Sequence, residues 1–75
     1  MREKVIEILE EIKKNVDFAN ETAIIDNGIL ESFDIIRLVN MLSDEFDVEF
    51  TAAELVPENF NSVDAIINII EELED

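Results

Sequence analysis

Apolar residues recur with the period of an α-helix in three separate segments of the chain. The first segment carries Val5, Ile8, Leu9, Ile12 and Val16. Because residues three, four, seven and eleven positions apart share one face of a helix, this segment has a single apolar stripe. Glu3 suits the positive pole of the helix dipole, while Lys13 and Lys14 suit the negative pole. The pattern therefore predicts a first helix from about Arg2 to Lys14.

Two further segments show the same spacing. The second, from Ser32 to about Phe46, carries Ile35, Leu38, Val39, Leu42 and Phe46. The last, from Ser62 to about Glu74, carries Val63, Ile66, Ile67, Ile70 and Leu73. Each segment is predicted to be an amphipathic helix that buries its stripe against the other two.

Polar residues mark the predicted helix starts. Ser32 is predicted to be the N-cap of the second helix, and Asp34 places negative charge in the first turn. Between the second and last helices, Thr51 is predicted to cap a short helical turn that runs to Leu55. Pro57 prevents that turn from continuing.

A stretch without helical period, from Asn15 to Leu30, follows the first helix and includes the only glycine, Gly28. Its apolar residues are Phe18, Ile24, Ile25, Ile29 and Leu30. A solvated linker would not carry that much apolar surface, so we expect the stretch to fold back over the core. The predicted fold is all-α: a small bundle of three main helices plus one short helix, with a long first loop, in a single domain that spans residues 1–75.

Composition and charge exclude several classes of function. The chain has 20 acidic and 5 basic residues, a net charge of −15, no Cys and no His. Such a charge repels nucleic acids, favours a basic partner and favours a monomer. Without Cys or His, Ser-His-Asp and Cys-His catalysis are excluded, so we expect no enzyme. No uncharged stretch is long enough for a signal peptide or a membrane span, and we expect a cytoplasmic protein.

A metal site is not expected. Asp26-Asn27-Gly28 lacks the alternating upstream carboxylates of a calcium-binding loop. The acidic residues Asp44, Glu45, Asp47 and Glu49 lie around a predicted helix end, where solvated charge is the ordinary interpretation.

Phe33 and Ile36 fall outside the apolar stripe of the second helix. They are expected to be partly exposed near the helix start, where they form either a docking surface or a contact with Ile24, Ile25 or Leu55.

The stretch Gly28–Val39, GILESFDIIRLV, resembles the modification motif of acyl carrier proteins, in which a serine follows an acidic residue after a long loop and opens the second helix. The resemblance covers essentially the whole chain. It implies that Ser32 carries 4′-phosphopantetheine. A phosphodiester at a helix N-terminus is also favoured by free N–H groups and the helix dipole.

The same resemblance implies the partners. They are a phosphopantetheinyl transferase, and acyl- or aminoacyl-transferring biosynthetic enzymes with basic docking patches. The residues expected to bind them are Glu31, Phe33, Asp34, Ile36, Arg37, Asp44, Glu45 and Asp47. The implied function is a freestanding carrier that holds acyl intermediates as thioesters and moves them between enzymes of fatty-acid or related biosynthesis. An acyl chain would be sheltered by Ile35, Leu38, Val39, Leu42, Ile66 and Ile70, which are equally what a bundle core requires.

Three positions depart from the family pattern. Glu31 replaces the usual Asp, while Arg37 and Ser43 stand where carriers of fatty-acid synthesis typically have Glu. The changes at Arg37 and Ser43 count against docking to the general enzymes of fatty-acid synthesis. Phe33 and the connection 55–60 are more similar to those of D-alanyl carrier proteins or of carriers of dedicated biosynthetic pathways, so a D-alanyl or other aminoacyl carrier is an alternative. A second alternative is an acidic helical interaction module without a prosthetic group, in which Ser32 is only a cap.

Overall fold

The computed structural model describes residues 1–74 and is all-helical over that range. Its elements are α1 (Arg2–Ile12), α2 (Ser32–Phe46), a 3-10 helix (Pro57–Asn59) and α3 (Val63–Glu74). The helix α1 packs against both α2 and α3. The predicted fold class, three main helices with one short helical element and a long first loop, is confirmed.

The core forms where the apolar stripes of the three helices meet. Its members from the helices are Val5, Ile8, Leu9, Leu38, Leu42, Val63, Ile66 and Ile70. No polar or charged side chain among residues 1–74 is buried. The stripe of α3 differs from prediction at three positions, because Ile69 is buried while Ile67 and Leu73 are only half-buried. Burial of such side chains contributes about 1.5–3 kcal/mol each, so this stripe is what holds the bundle together.

The long first loop closes the bundle, as predicted. Phe18, Ile24 and Leu30 are buried in the same core as the helices. The Arg2 guanidinium ties the beginning of this loop to two helices, because it pairs with the Asp64 carboxylate and donates to the Ala19 carbonyl oxygen 3.1 Å away. The loop is therefore a packed part of the domain.

The first helix is shorter than predicted. It ends at Ile12, and Lys13 is extended with φ −139° and ψ 123°. Two residues later Asn15 adopts φ 63°, a left-handed conformation that asparagine tolerates better than most residues. Lys13 and Lys14 thus lie beyond the helix and not in its last turn.

The short helical element was predicted in the wrong place. Thr51–Leu55 forms only a hydrogen-bonded turn, in which the Glu54 carboxylate accepts from the Thr51 backbone N–H at 2.6 Å and from its hydroxyl at 2.8 Å. The 3-10 helix starts at Pro57, because proline lacks an N–H and its fixed φ suits a first helical position. Proline therefore begins the short helix instead of ending it.

Candidate functional site

Ser32 lies at the junction between the long loop and α2, as the first residue of the helix. It is exposed. The first helical hydrogen bond of α2 runs from the Ile35 N–H to the Glu31 carbonyl oxygen, 3.0 Å away. By geometry, the N–H groups of Ser32 and Phe33 therefore have no acceptor within the helix.

The prediction that Ser32 is the N-cap is wrong. The N-cap is Glu31, which is extended with φ −93° and ψ 173°. Its backbone N–H donates to Asp34 Oδ2 at 3.1 Å, which is one half of a capping box. The capping contact at this helix start is therefore made by Asp34, and the Ser32 hydroxyl has no hydrogen-bonding partner among residues 1–74.

The other two serines of the chain have structural roles. The Ser43 hydroxyl donates to the Val48 carbonyl oxygen, just beyond the end of α2. The Ser62 hydroxyl accepts from the Ala65 backbone N–H at 3.0 Å, so it caps α3. Among residues 1–74, Ser32 is thus the serine whose hydroxyl is exposed and has no hydrogen-bonding partner.

Exposed apolar side chains lie next to Ser32. Phe33 is 76% exposed and Ile36 is 63% exposed. Their predicted exposure is confirmed, and the alternative that they pack on Ile24, Ile25 or Leu55 is wrong. Two such side chains one helical turn apart give α2 an apolar surface at its N-terminal end.

A small apolar crevice begins one turn after Ser32. Its volume is about 120 Å³, and its lining is Ile25, Ile35, Leu55, Val56, Pro57 and Phe60. Of the six residues predicted to shelter an acyl chain, only Ile35 lines it. Leu38, Leu42, Ile66 and Ile70 are fully buried in the core. The apolar periodicity of α2 could not predict this crevice. Four of the residues that line the crevice come from the connection after the helix, namely Leu55, Val56, Pro57 and Phe60.

The comparisons with known proteins decide the family. A family model described as "phosphopantetheine attachment site" matches residues 2–70. The chain belongs to the phosphopantetheine-attachment family. The resemblance to acyl carrier proteins is confirmed, since the match runs from α1 through most of α3. A search of curated proteins finds no match.

Members of this family carry a 4′-phosphopantetheine prosthetic group and act as carriers, not catalysts. The residues of this carrier protein fit such a group. A free hydroxyl at the start of a 15-residue helix has unpaired backbone N–H groups beside it, and those groups stabilise an attached phosphate.

The five acidic residues predicted to bind partners form two separate groups. Glu31 and Asp34 flank Ser32. Asp44, Glu45 and Asp47 lie at the other end of α2, about 18 Å along the helix at 1.5 Å per residue. The structure therefore does not bring all the predicted docking carboxylates around Ser32.

The distant acidic group continues onto α1. An open groove between the two helices is lined by Lys4, Glu7, Ile8, Glu11, Met41, Asp44 and Glu45. Sequence reasoning missed Glu7 and Glu11, although their spacing of four places them on one face of α1. Arg37 is exposed on α2, and Ser43 is half-buried.

The Thr51 turn perturbs one carboxyl group. The pKa of Glu54 is lowered because the Thr51 backbone N–H, and then the Thr51 hydroxyl, donate hydrogen bonds to its charged form.

Among residues 1–74 no three acidic side chains converge in a geometry that could hold a metal ion. No helix in this range is long and apolar enough to cross a membrane.

Proposed function

We propose that this carrier protein is freestanding and receives its prosthetic group on the Ser32 hydroxyl. The proposal rests on Ser32 being the serine with an exposed hydroxyl, without a hydrogen-bonding partner, at a helix N-terminus. A phosphopantetheinyl transferase would join the arm of coenzyme A to Ser32 Oγ, with release of adenosine bisphosphate. The arm supplies a thiol that holds an acyl group as a thioester.

The chain's own residues hold and present the attachment point. The N–H groups of Ser32 and Phe33, which have no acceptor within the helix, would stabilise a phosphodiester attached there, and the dipole of α2 would add to their effect. Helix N-termini stabilise such an anion by about 0.3–1 kcal/mol at the surface. This offsets the repulsion from Glu31 and Asp34, the carboxylates nearest to Ser32 in the chain.

The docking surface consists of an apolar and an acidic part. Phe33 and Ile36 would enter apolar depressions of the transferase and of the acyl-transferring enzymes. The acidic residues proposed to contact basic patches on these enzymes are Glu31, Asp34, Asp44, Glu45 and Asp47. Arg37 is also proposed to lie in the docking surface, although its positive charge would be repelled by a basic patch. Their charges steer association, while the apolar side chains supply most of the binding energy.

The cargo we propose is an acyl intermediate of fatty-acid or related biosynthesis. The crevice beside α2 has an apolar lining, which supports this proposal because it would shelter a short acyl chain. A second candidate is an aminoacyl group such as D-alanyl, because Phe33 directly after Ser32 and the connection 55–60 resemble those of D-alanyl carrier proteins.

Intact-mass measurement tests the proposal. The protein is incubated with coenzyme A and a broad-specificity phosphopantetheinyl transferase. Wild type and the control Ser43→Ala should each gain one arm, while Ser32→Ala should gain none. An unmodified wild type would instead support an acidic interaction module without a prosthetic group.

A further inference from the structure

Asn61 connects the long first loop to the start of α3. Its side-chain oxygen accepts hydrogen bonds from the backbone N–H groups of Ile25, at 2.9 Å, and Asp26, at 3.1 Å. Its side-chain nitrogen donates to the Asp26 carboxylate at 3.2 Å. Its carbonyl oxygen accepts from the Ile24 N–H at 2.8 Å. Four hydrogen bonds thus join one residue to three consecutive residues that are 35 to 37 positions away.

The segment held by Asn61 is the turn that leads to Ser32. Within it, Ile29 N–H donates to the Ile24 carbonyl oxygen and Gly28 N–H donates to that of Ile25, both at 3.0 Å. Gly28 has φ 70°, which lets the chain reverse, and Leu30 then enters the core. The position of this turn therefore sets the direction from which the chain enters α2.

From these contacts we infer that Asn61 is a positioning residue for arm attachment. It holds the turn 24–29 against the start of α3, so that the Ser32 hydroxyl is presented to the transferase in one orientation. The inference rests on the proposed attachment at Ser32. Asn61 itself lies outside the docking surface and acts through the loop.

The chemistry requires an amide at position 61. The oxygen must accept from two N–H groups, while the nitrogen must donate to a carboxylate. In Asn61→Asp the two acceptor contacts remain possible, but a second carboxylate faces Asp26 and the contact becomes repulsive. Adding Asp26→Asn to the same chain restores a hydrogen bond between the two side chains, because the amide at position 26 then donates to the carboxylate at position 61.

The experiment compares the kinetics of arm attachment from coenzyme A in full-length chains. The variants are wild type, Asn61→Asp, the double variant Asp26→Asn with Asn61→Asp, and Asn68→Asp. Asn68 is exposed on α3, so its variant has the same change in net charge as Asn61→Asp. Helix content and melting temperature of each variant show whether it is folded.

We expect kcat for Asn61→Asp to fall about fivefold, a loss typical of one repulsive pair near the surface. KM should change little, because α2 still presents Phe33 and Ile36. Asn68→Asp should match wild type, and the double variant should recover most of kcat. Independently of any arm, the amide hydrogens of Ile25 and Asp26 should exchange faster in Asn61→Asp and slow again in the double variant.

A kcat for Asn61→Asp equal to that of Asn68→Asp would overturn the inference, as would a loss that Asp26→Asn does not repair. If wild type itself gains no arm, the proposed function has failed. If wild type is modified on Ser32 and Asn61→Asp is modified equally fast, only the positioning role has failed.

Discussion

Asp34 Oδ2 accepts a hydrogen bond from the backbone N–H of Glu31, 3.1 Å away, and this contact belongs to a capping box at the start of α2 in which the Ser32 hydroxyl takes no part. The Ser32 side chain therefore makes no hydrogen bond that stabilises the start of the helix. A residue at a helix start can thus be exposed and reactive without weakening the helix it begins.

Substitutions at Ser32 and Asp34 should separate reactivity from stability. Ser32→Ala should change the free energy of unfolding by less than about 0.5 kcal/mol, because its hydroxyl has no partner to lose. Asp34→Ala should lower it by about 1 kcal/mol, because the cap is lost. Urea denaturation followed by circular dichroism measures both. A larger loss for Ser32→Ala than for Asp34→Ala would show that the serine is the cap after all.

The start of α2 shows what the sequence pattern could predict, the bounds of the helix, and what it could not, the residue that caps it. The bounds Ser32–Phe46 were predicted correctly, because a strong apolar period and an acidic first turn agree there. The prediction that Ser32 is the N-cap was wrong. Serine is very common at N-cap positions, so its presence at the helix start favoured that assignment, and Asp34 was expected to act only through its charge. Glu31 and Asp34 could have suggested a capping box, because they are acidic residues three positions apart.

Phe33 and Ile36 should matter for partner binding and not for folding. Phe33→Ala and Ile36→Ala remove exposed side chains, so each should leave the free energy of unfolding within about 0.5 kcal/mol of wild type. Each should raise KM for the transferase, because apolar contact area is lost on docking.

The matched control is a buried phenylalanine. Phe18→Ala should cost about 3–5 kcal/mol, since Phe18 lies in the core. Equal destabilisation by Phe33→Ala and Phe18→Ala would mean that Phe33 packs against the protein in solution.

The Thr51–Glu54 contact should make a small contribution to stability that depends on pH. The pKa of Glu54 is lower in the folded state, first because of the Thr51 backbone N–H and then because of its hydroxyl. The contribution is therefore fully present above the pKa of the unfolded chain and is lost as pH falls through the lower, folded pKa.

Thr51→Ala should move the Glu54 pKa part of the way back up, because the hydroxyl is removed and the backbone donor remains. A carboxyl-carbon NMR titration measures the shift, with Thr22→Ala as the control. An unchanged Glu54 titration in Thr51→Ala would contradict the hydroxyl contact.

Docking to a basic enzyme should weaken with salt. Raising the salt from about 50 to about 500 mM shortens the Debye length several-fold, so KM for the transferase should rise. The variant with Asp44→Asn and Glu45→Gln should show a weaker salt dependence than wild type. The variant with Glu71→Gln and Glu72→Gln has the same net charge but alters exposed residues of α3, so it should resemble wild type. Identical salt dependence in both variants would mean that only the overall charge matters.

The parts of the site that sequence reasoning missed depend on contacts between distant residues. The hydrogen bonds of Asn61 join it to Ile25 and Asp26, and no local period or turn signal marks such a pair. The groove with Glu7 and Glu11 likewise exists only because α1 packs beside α2. The exposure of Phe33 and Ile36 was predictable, by contrast, because it follows from their position on a single helix.

The most direct test is to locate the arm along the chain. Wild-type protein modified by the transferase is digested, and tandem mass spectrometry of the peptides identifies the residue that carries the added mass. We expect the arm on Ser32, between Glu31 and Phe33, and on no other hydroxyl. Attachment at Ser43, Ser62 or a threonine would contradict it.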